Sequence, residues 1–239
     1  MKQFIIDSGF YNNPDQMKTL FVNLDFVKNE NILGGKICPM SFANQEMLGH
    51  IQNTLGVPDG VSAFEFVPGS GTFISNTKDE PPARSICIQY PEPNTQWVGI
   101  VSLNPSSTPH YIKFYKHKRL GWDHVPMDPE ELSKEKLYSY DHVETFVEFE
   151  NVNWQDKWEE TSRIELKFNE LVLFRPWMFH SYNDVFGETQ QDGRLLQFFF
   201  LKPTQEALNS VLTSTSQTIS APVESITAQD SSDSEQTSA

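Results

Sequence analysis

From Val61 onward the apolar residues recur at every second position in short runs, and this alternation constrains the chain more than any other feature. Successive side chains on a strand point to opposite faces, so period two marks strands with one face in a core. The runs fall at 62–67, 71–75, 85–90, 97–103, 112–115, 143–149, 164–168, 171–174 and 195–201, with turn residues between them. Upstream the period differs. Residues 2–6 read as a first strand. Asn13-Pro14-Asp15 then opens a helix, with Asn13 as cap and Pro14 at the first helical position. Residues 41–55 predict a second helix, capped by Ser41 and closed by Gly56. Residues 130–138 and 205–212 are short helix candidates. Two helices followed by many short strands give an α+β chain with an antiparallel sandwich or barrel as its core.

Two segments differ in composition. Residues 1–203 hold every Lys, Arg and aromatic residue. Residues 204–239 are rich in Ser, Thr and Gln and hold too little apolar surface to offset the entropy of ordering, so a disordered acidic tail is expected there. The 239 residues carry 18 Lys plus Arg against 32 Asp plus Glu, a formal charge of -14. That balance argues against nucleic acid or anionic lipid as a partner. The only basic run is 113–119, KFYKHKR. Two cysteines, Cys38 and Cys87, are too few for a disulfide framework or a Cys-rich zinc site, and read as reduced, buried thiols. No apolar run is long enough to span a bilayer and the N-terminus lacks a signal-peptide core, so a cytoplasmic location is expected.

The stretch 168–201, FNELVLFRPWMFHSYNDVFGETQQDGRLLQFFFL, carries the candidate chemistry. A strand leads to His180, and Arg194 opens the next apolar strand fourteen residues later. Two antiparallel strands joined by a loop of that size can bring both side chains to one pocket. A neutral imidazole suits Fe(II), and a guanidinium suits a carboxylate. Equally, His180 can be a hydrogen-bonded core histidine and Arg194 a surface residue. Other motifs are absent: there is no Gly-x-Ser-x-Gly elbow, no His-Glu-x-x-His and no phosphate-cradling glycine loop. Trp154 and Trp158 read as packing residues, and His117 as a residue at a basic strand end.

Four segments in order resemble one family. LVLFRPWMFHS, FGE and GRLLQFFF look like the C-terminal half of Fe(II)/2-oxoglutarate oxygenases. They are closest to prolyl-hydroxylase-like proteins of marine bacteriophages and bacteria. FIIDSGFYNNPDQMKTLFVNLDF resembles that family's opening strand and helix, WVGIVSLNP its central strand, and FYKHKRLGW its F-Y-R-H-K segment. The resemblance implies a double-stranded β-helix (jelly-roll, cupin-like) with N-terminal helices packed on one face. It implies Fe(II) and 2-oxoglutarate as cofactors, His180 as the distal metal ligand and Arg194 as the 2-oxoglutarate anchor. The substrate would be a small molecule or a protein side chain, and the host a bacterial or phage-infected cell.

The family's His-x-Asp pair has no counterpart. SICIQYPEPNTQWVG places Gln89-Tyr90-Pro91 where the pair belongs, and Glu92 is the only acid there. A facial triad needs two imidazoles and one carboxylate; His180, Glu92 and Gln89 offer one imidazole, one carboxylate and one weak amide oxygen. Two expectations follow. One is a dioxygenase, a hydroxylase by resemblance, with replacement ligands. The other is a catalytically inactive domain of the same fold acting as a binding or phage accessory protein.

Overall fold

The structure is a computed structural model that describes residues 4–29, 34–82, 85–89, 94–103 and 109–209. The elements in chain order are β1 (Phe4–Ser8), α1 (Pro14–Val22), β2 (Val27–Lys28), β3 (Lys36–Ile37), α2 (Gln45–Thr54), β4 (Phe64–Phe66), β5 (Thr72–Asn76), β6 (Trp97–Ser102), β7 (Tyr111–His117), α3 (Pro129–Lys134), α4 (Tyr140–Glu150), α5 (Trp154–Lys157), β8 (Trp158–Glu165), β9 (Glu170–Phe174), β10 (His180–Ser181) and β11 (Arg194–Pro203). Eight strands form one sheet in the order β1-β9-β6-β11-β5-β3-β2, with β4 also paired to β11. Three form a second sheet, β10-β7-β8. The paired strands in both sheets run antiparallel. Among the described residues no helix is long and apolar enough to cross a membrane.

Period two sorts the strand residues into layers. Even-numbered positions of β6, β9 and β11 (Val98, Ile100, Val172, Phe174, Leu196, Phe198, Phe200) share one buried cluster with Ile112, Phe114, Ile164, Met178 and Tyr182 on or beside the small sheet. That cluster is the filling between the two sheets. Odd-numbered positions of the large sheet (Leu171, Leu173, Leu195, Phe199) lie in a second cluster with Phe21 of α1 and Leu48 and Ile51 of α2. The Phe21 ring stacks 3.6 Å from that of Phe73. A third cluster joins Tyr115 and Trp158 of the small sheet, and Phe179 just before β10, to Val143 and Val147 of α4. Burying a side chain of this size from water contributes roughly 1.5–3 kcal/mol, so each layer is a substantial term.

Several local expectations change. Residues 143–149 are helical, not a strand: Ser139 caps α4 by accepting the His142 N–H. Val143 and Val147 fit both periods. The deciding residue is Phe149, which a strand would bury and which is 71% exposed. The second helix begins later than expected, because Asn44 rather than Ser41 accepts the Met47 N–H. Ser41 instead donates to the Ser70 carbonyl. Asn13 precedes α1 without a side-chain cap bond. Residues 85–90 form no regular strand among those described; Cys87 alone bridges to His180. Gly71, at φ +78, is required: a Cβ there would lie 2.1 Å from the Ala43 nitrogen. The large sheet ends at Pro203, and residues 205–209 are helical. The expected tail beyond 209 lies outside the described residues.

Candidate functional site

The site lies between the sheets. Arg194 opens β11 on the face that carries Leu196, Phe198 and Phe200, so its side chain starts inside the cluster. His180 sits on β10, paired with Phe114 of β7. Its backbone exchanges both hydrogen bonds with Cys87, which holds the segment 85–89 beside β10. Both residues are buried: His180 is 0% exposed and Arg194 2%.

His180 is neutral here. Burial pulls its pKa down to about 4, against the smaller upward effect of the Met178 carbonyl. That carbonyl lies 2.6 Å from Nδ1. A carbonyl only accepts, so Nδ1 must carry the hydrogen and Nε2 is a bare lone pair. Nε2 has no partner among the described residues. The rings of Phe174 and Tyr182 stand edge-on to the imidazole at 4.8 and 5.0 Å. An unpartnered buried acceptor is costly in such surroundings.

Arg194 is a buried cation without a carboxylate partner among the described residues. Nη1 donates to the carbonyls of Tyr182 and Asp184, and Nη2 donates to Oδ1 of Asn76 at 2.6 Å. A guanidinium has five N–H donors. These contacts use three, leaving one N–H on Nη2 and the N–H of Nε, which is buried and unpartnered. Burial lowers the Arg194 pKa to about 10, and the nearby Asp184 charge acts in the opposite sense. Asp184 is itself engaged, accepting from Lys113 Nζ at 2.6 Å and from the Tyr111 N–H at 3.0 Å. The neighbouring cation Arg175 turns elsewhere and stacks 3.6 Å over the Trp97 ring.

Tyr182 joins these groups, although no motif in the sequence marks it. Its hydroxyl donates to Oε1 of Gln89, its ring faces His180, and its carbonyl accepts from Arg194. It lies two residues after His180, so period two already placed both on one face. Asn76 carried no such signal, since it meets Arg194 only through the β5–β11 register. Gln89 is buried, and its amide oxygen is taken by the Tyr182 hydroxyl. Glu92 lies outside the described residues. His117 ends β7 as expected, but it is buried where a surface residue was expected. It sits on the outer layer of the small sheet, 4.7 Å from the Trp158 ring and 3.2 Å from Oε2 of Glu150.

The donor set can be tested against an iron centre. A facial triad needs two imidazoles and a carboxylate. The described residues here supply one imidazole and one occupied amide, and among them no group of three His, Cys, Asp or Glu could hold a metal. They do not fit an iron triad.

No family profile matches this chain, and no curated protein matches it in sequence. Solved structures do resemble it. HygX from Streptomyces hygroscopicus, with nickel and 2-oxoglutarate bound, is 12% identical over 85% of this chain and 84% of its own, with a TM-score of 0.47. A Pseudomonas putida prolyl-4-hydroxylase is 10% identical over 84% of this chain and 92% of its own, at 0.44. The non-heme alpha ketoglutarate dependent epimerase SnoN is 10% identical over 84% and 76%, at 0.45.

Proposed function

We propose that this chain is an Fe(II)/2-oxoglutarate dioxygenase-like domain that holds 2-oxoglutarate, or a similar small carboxylate, at Arg194. On this reading the two facing sheets are the halves of a double-stranded β-helix spanning residues 1–203. The observation that carries it is the unused part of the Arg194 guanidinium. Nε–H and one Nη2–H remain unclaimed on a buried cation that has no acid beside it. An adjacent pair of N–H donors on a planar fork matches the two oxygens of a carboxylate. A negative ligand there would also relieve the cost of burying the charge alone.

Each residue then has a task. The carbonyls of Tyr182 and Asp184 and the Asn76 amide orient the guanidinium. Arg194 is shut away from water, which strengthens any charge pairing there. Of the expected ligands, His180 keeps a bare nitrogen and Gln89 is already held by Tyr182, so a metal would have only His180 and Glu92 to hold it. If the domain is active it is a hydroxylase, acting on a small molecule or a protein side chain. An acidic chain of this kind works in the cytoplasm and without nucleic acid.

A second reading keeps the fold and drops the chemistry: a catalytically inactive binding or phage accessory protein. The bond from Tyr182 to Gln89 favours it, because that bond occupies the amide a metal would need. Anaerobic titration with Fe(II) and 2-oxoglutarate separates the readings. A visible charge-transfer band that disappears in Arg194→Lys supports the enzyme. Retained 2-oxoglutarate binding without any band supports the inactive domain. Failure of 2-oxoglutarate to bind at all sinks the carboxylate assignment.

A further inference from the structure

We infer that the interior between the two sheets takes its carboxylate without a metal. The inference rests on the carboxylate reading of Arg194 and goes beyond it. The chain has six histidines, and all six are among the described residues. His50 is on α2, with Nε2 2.6 Å from Asp7. Nε2 of His110 is 2.9 Å from the Ser102 hydroxyl. His117 is on the far layer of the small sheet, where Nδ1 accepts the Leu120 N–H and Nε2 meets Glu150. His124 pairs with Asp123 beside it. His142 accepts the Tyr138 N–H on Nδ1. His180 alone presents an unpartnered buried nitrogen.

A triad with two imidazoles therefore cannot form in this arrangement, whatever Glu92 contributes. Glu92 could add one carboxylate and would leave the set one nitrogen short. Gln89 stands on the segment where a second imidazole is wanted, and its oxygen already accepts from Tyr182. A neutral amide oxygen is a poor exchange for imidazole toward a first-row metal. Cys87, the other inward group near His180, directs its thiol at the His180 carbonyl, 3.4 Å away. Arg194, in contrast, keeps its free donors independently of any metal. Its anion would be held by charge and the fork alone, and a chelating 2-oxo group would confer no advantage.

The test is isothermal titration of the full chain with 2-oxoglutarate and with glutarate, in EDTA and again anaerobically with Fe(II). Glutarate keeps both carboxylates and lacks the 2-oxo oxygen that a metal chelate needs. Both ligands should bind in EDTA with affinities within about threefold, and Fe(II) should change neither. Asn76→Asp, which offers Arg194 an internal carboxylate, should weaken both by at least about tenfold while leaving the circular dichroism spectrum unchanged. Arg194→Lys should do the same and gives a second route if Asn76→Asp does not fold. Binding of 2-oxoglutarate that appears only with Fe(II), or a strong preference for it over glutarate once Fe(II) is added, overturns the metal-free inference and leaves the carboxylate site standing. No binding of either ligand in any condition overturns both.

Discussion

Acidification should expose the neutral state of His180 directly. In the fold its pKa is about 4, against 6.5 for a free imidazole. The unfolded chain therefore takes up a proton below about pH 6.5 that the folded chain refuses until about pH 4. Stability tied to this group is complete at pH 7, falls as pH drops through that window, and is lost in full below it. The difference corresponds to about 3 kcal/mol, a large share of the stability of a typical domain. Glu150, whose pKa is also lowered, adds a loss in the same direction, so the wild-type slope alone cannot isolate His180. His180→Leu can. It removes the hydrogen bond to the Met178 carbonyl and should cost roughly 1–3 kcal/mol at pH 7. It also removes the titrating group, so its deficit should vanish or reverse by pH 4. The assay is urea denaturation of both proteins between pH 7 and pH 4. Parallel curves would refute the claim that this imidazole is buried and uncharged.

Other outcomes follow from the packing. Tyr182→Phe leaves the Gln89 oxygen without its donor and should destabilise by about 1–3 kcal/mol in urea melts. Val147→Ala should cost about 2 kcal/mol and Phe149→Ala under about 0.5, because α4 buries the first and exposes the second; the reverse order in denaturation midpoints would restore the strand reading of 143–149. Gly71→Ala, with its Cβ driven into the Ala43 backbone, should prevent folding or cost more than about 3 kcal/mol. Gly56→Ala, at φ +79 with open space around it, should cost about 1 kcal/mol in the same assay.

The layers were legible in the sequence because period two is a local property. Val98, Ile100, Val172 and Phe174 reveal their inward face without knowledge of their partners, and so do Leu196 and Phe198. The error at 143–149 arose where two periods coincide, since Val143 and Val147 satisfy both a strand and a helix. His180, Arg194 and Gln89 were legible as residue types at workable spacings, and the structure gathers all three around Tyr182. Hydrogen-bond saturation was not legible. Asn76 reaches Arg194 from a strand more than a hundred residues away, and the Tyr182 hydroxyl claims Gln89 across the interior. His117 was misread because its burial depends on Phe146 and Trp158 closing over it from α4 and β8.

The central claim is that Arg194 keeps a fork of two N–H donors for a carboxylate. The most direct measurement is the ¹H–¹⁵N resonance of Arg194 Nε during titration with 2-oxoglutarate in EDTA, assigned through its absence in Arg194→Lys. A protected Nε–H signal that moves downfield and saturates with ligand is the predicted result. A signal that stays in place while 2-oxoglutarate binds elsewhere, or while none binds, would contradict the account.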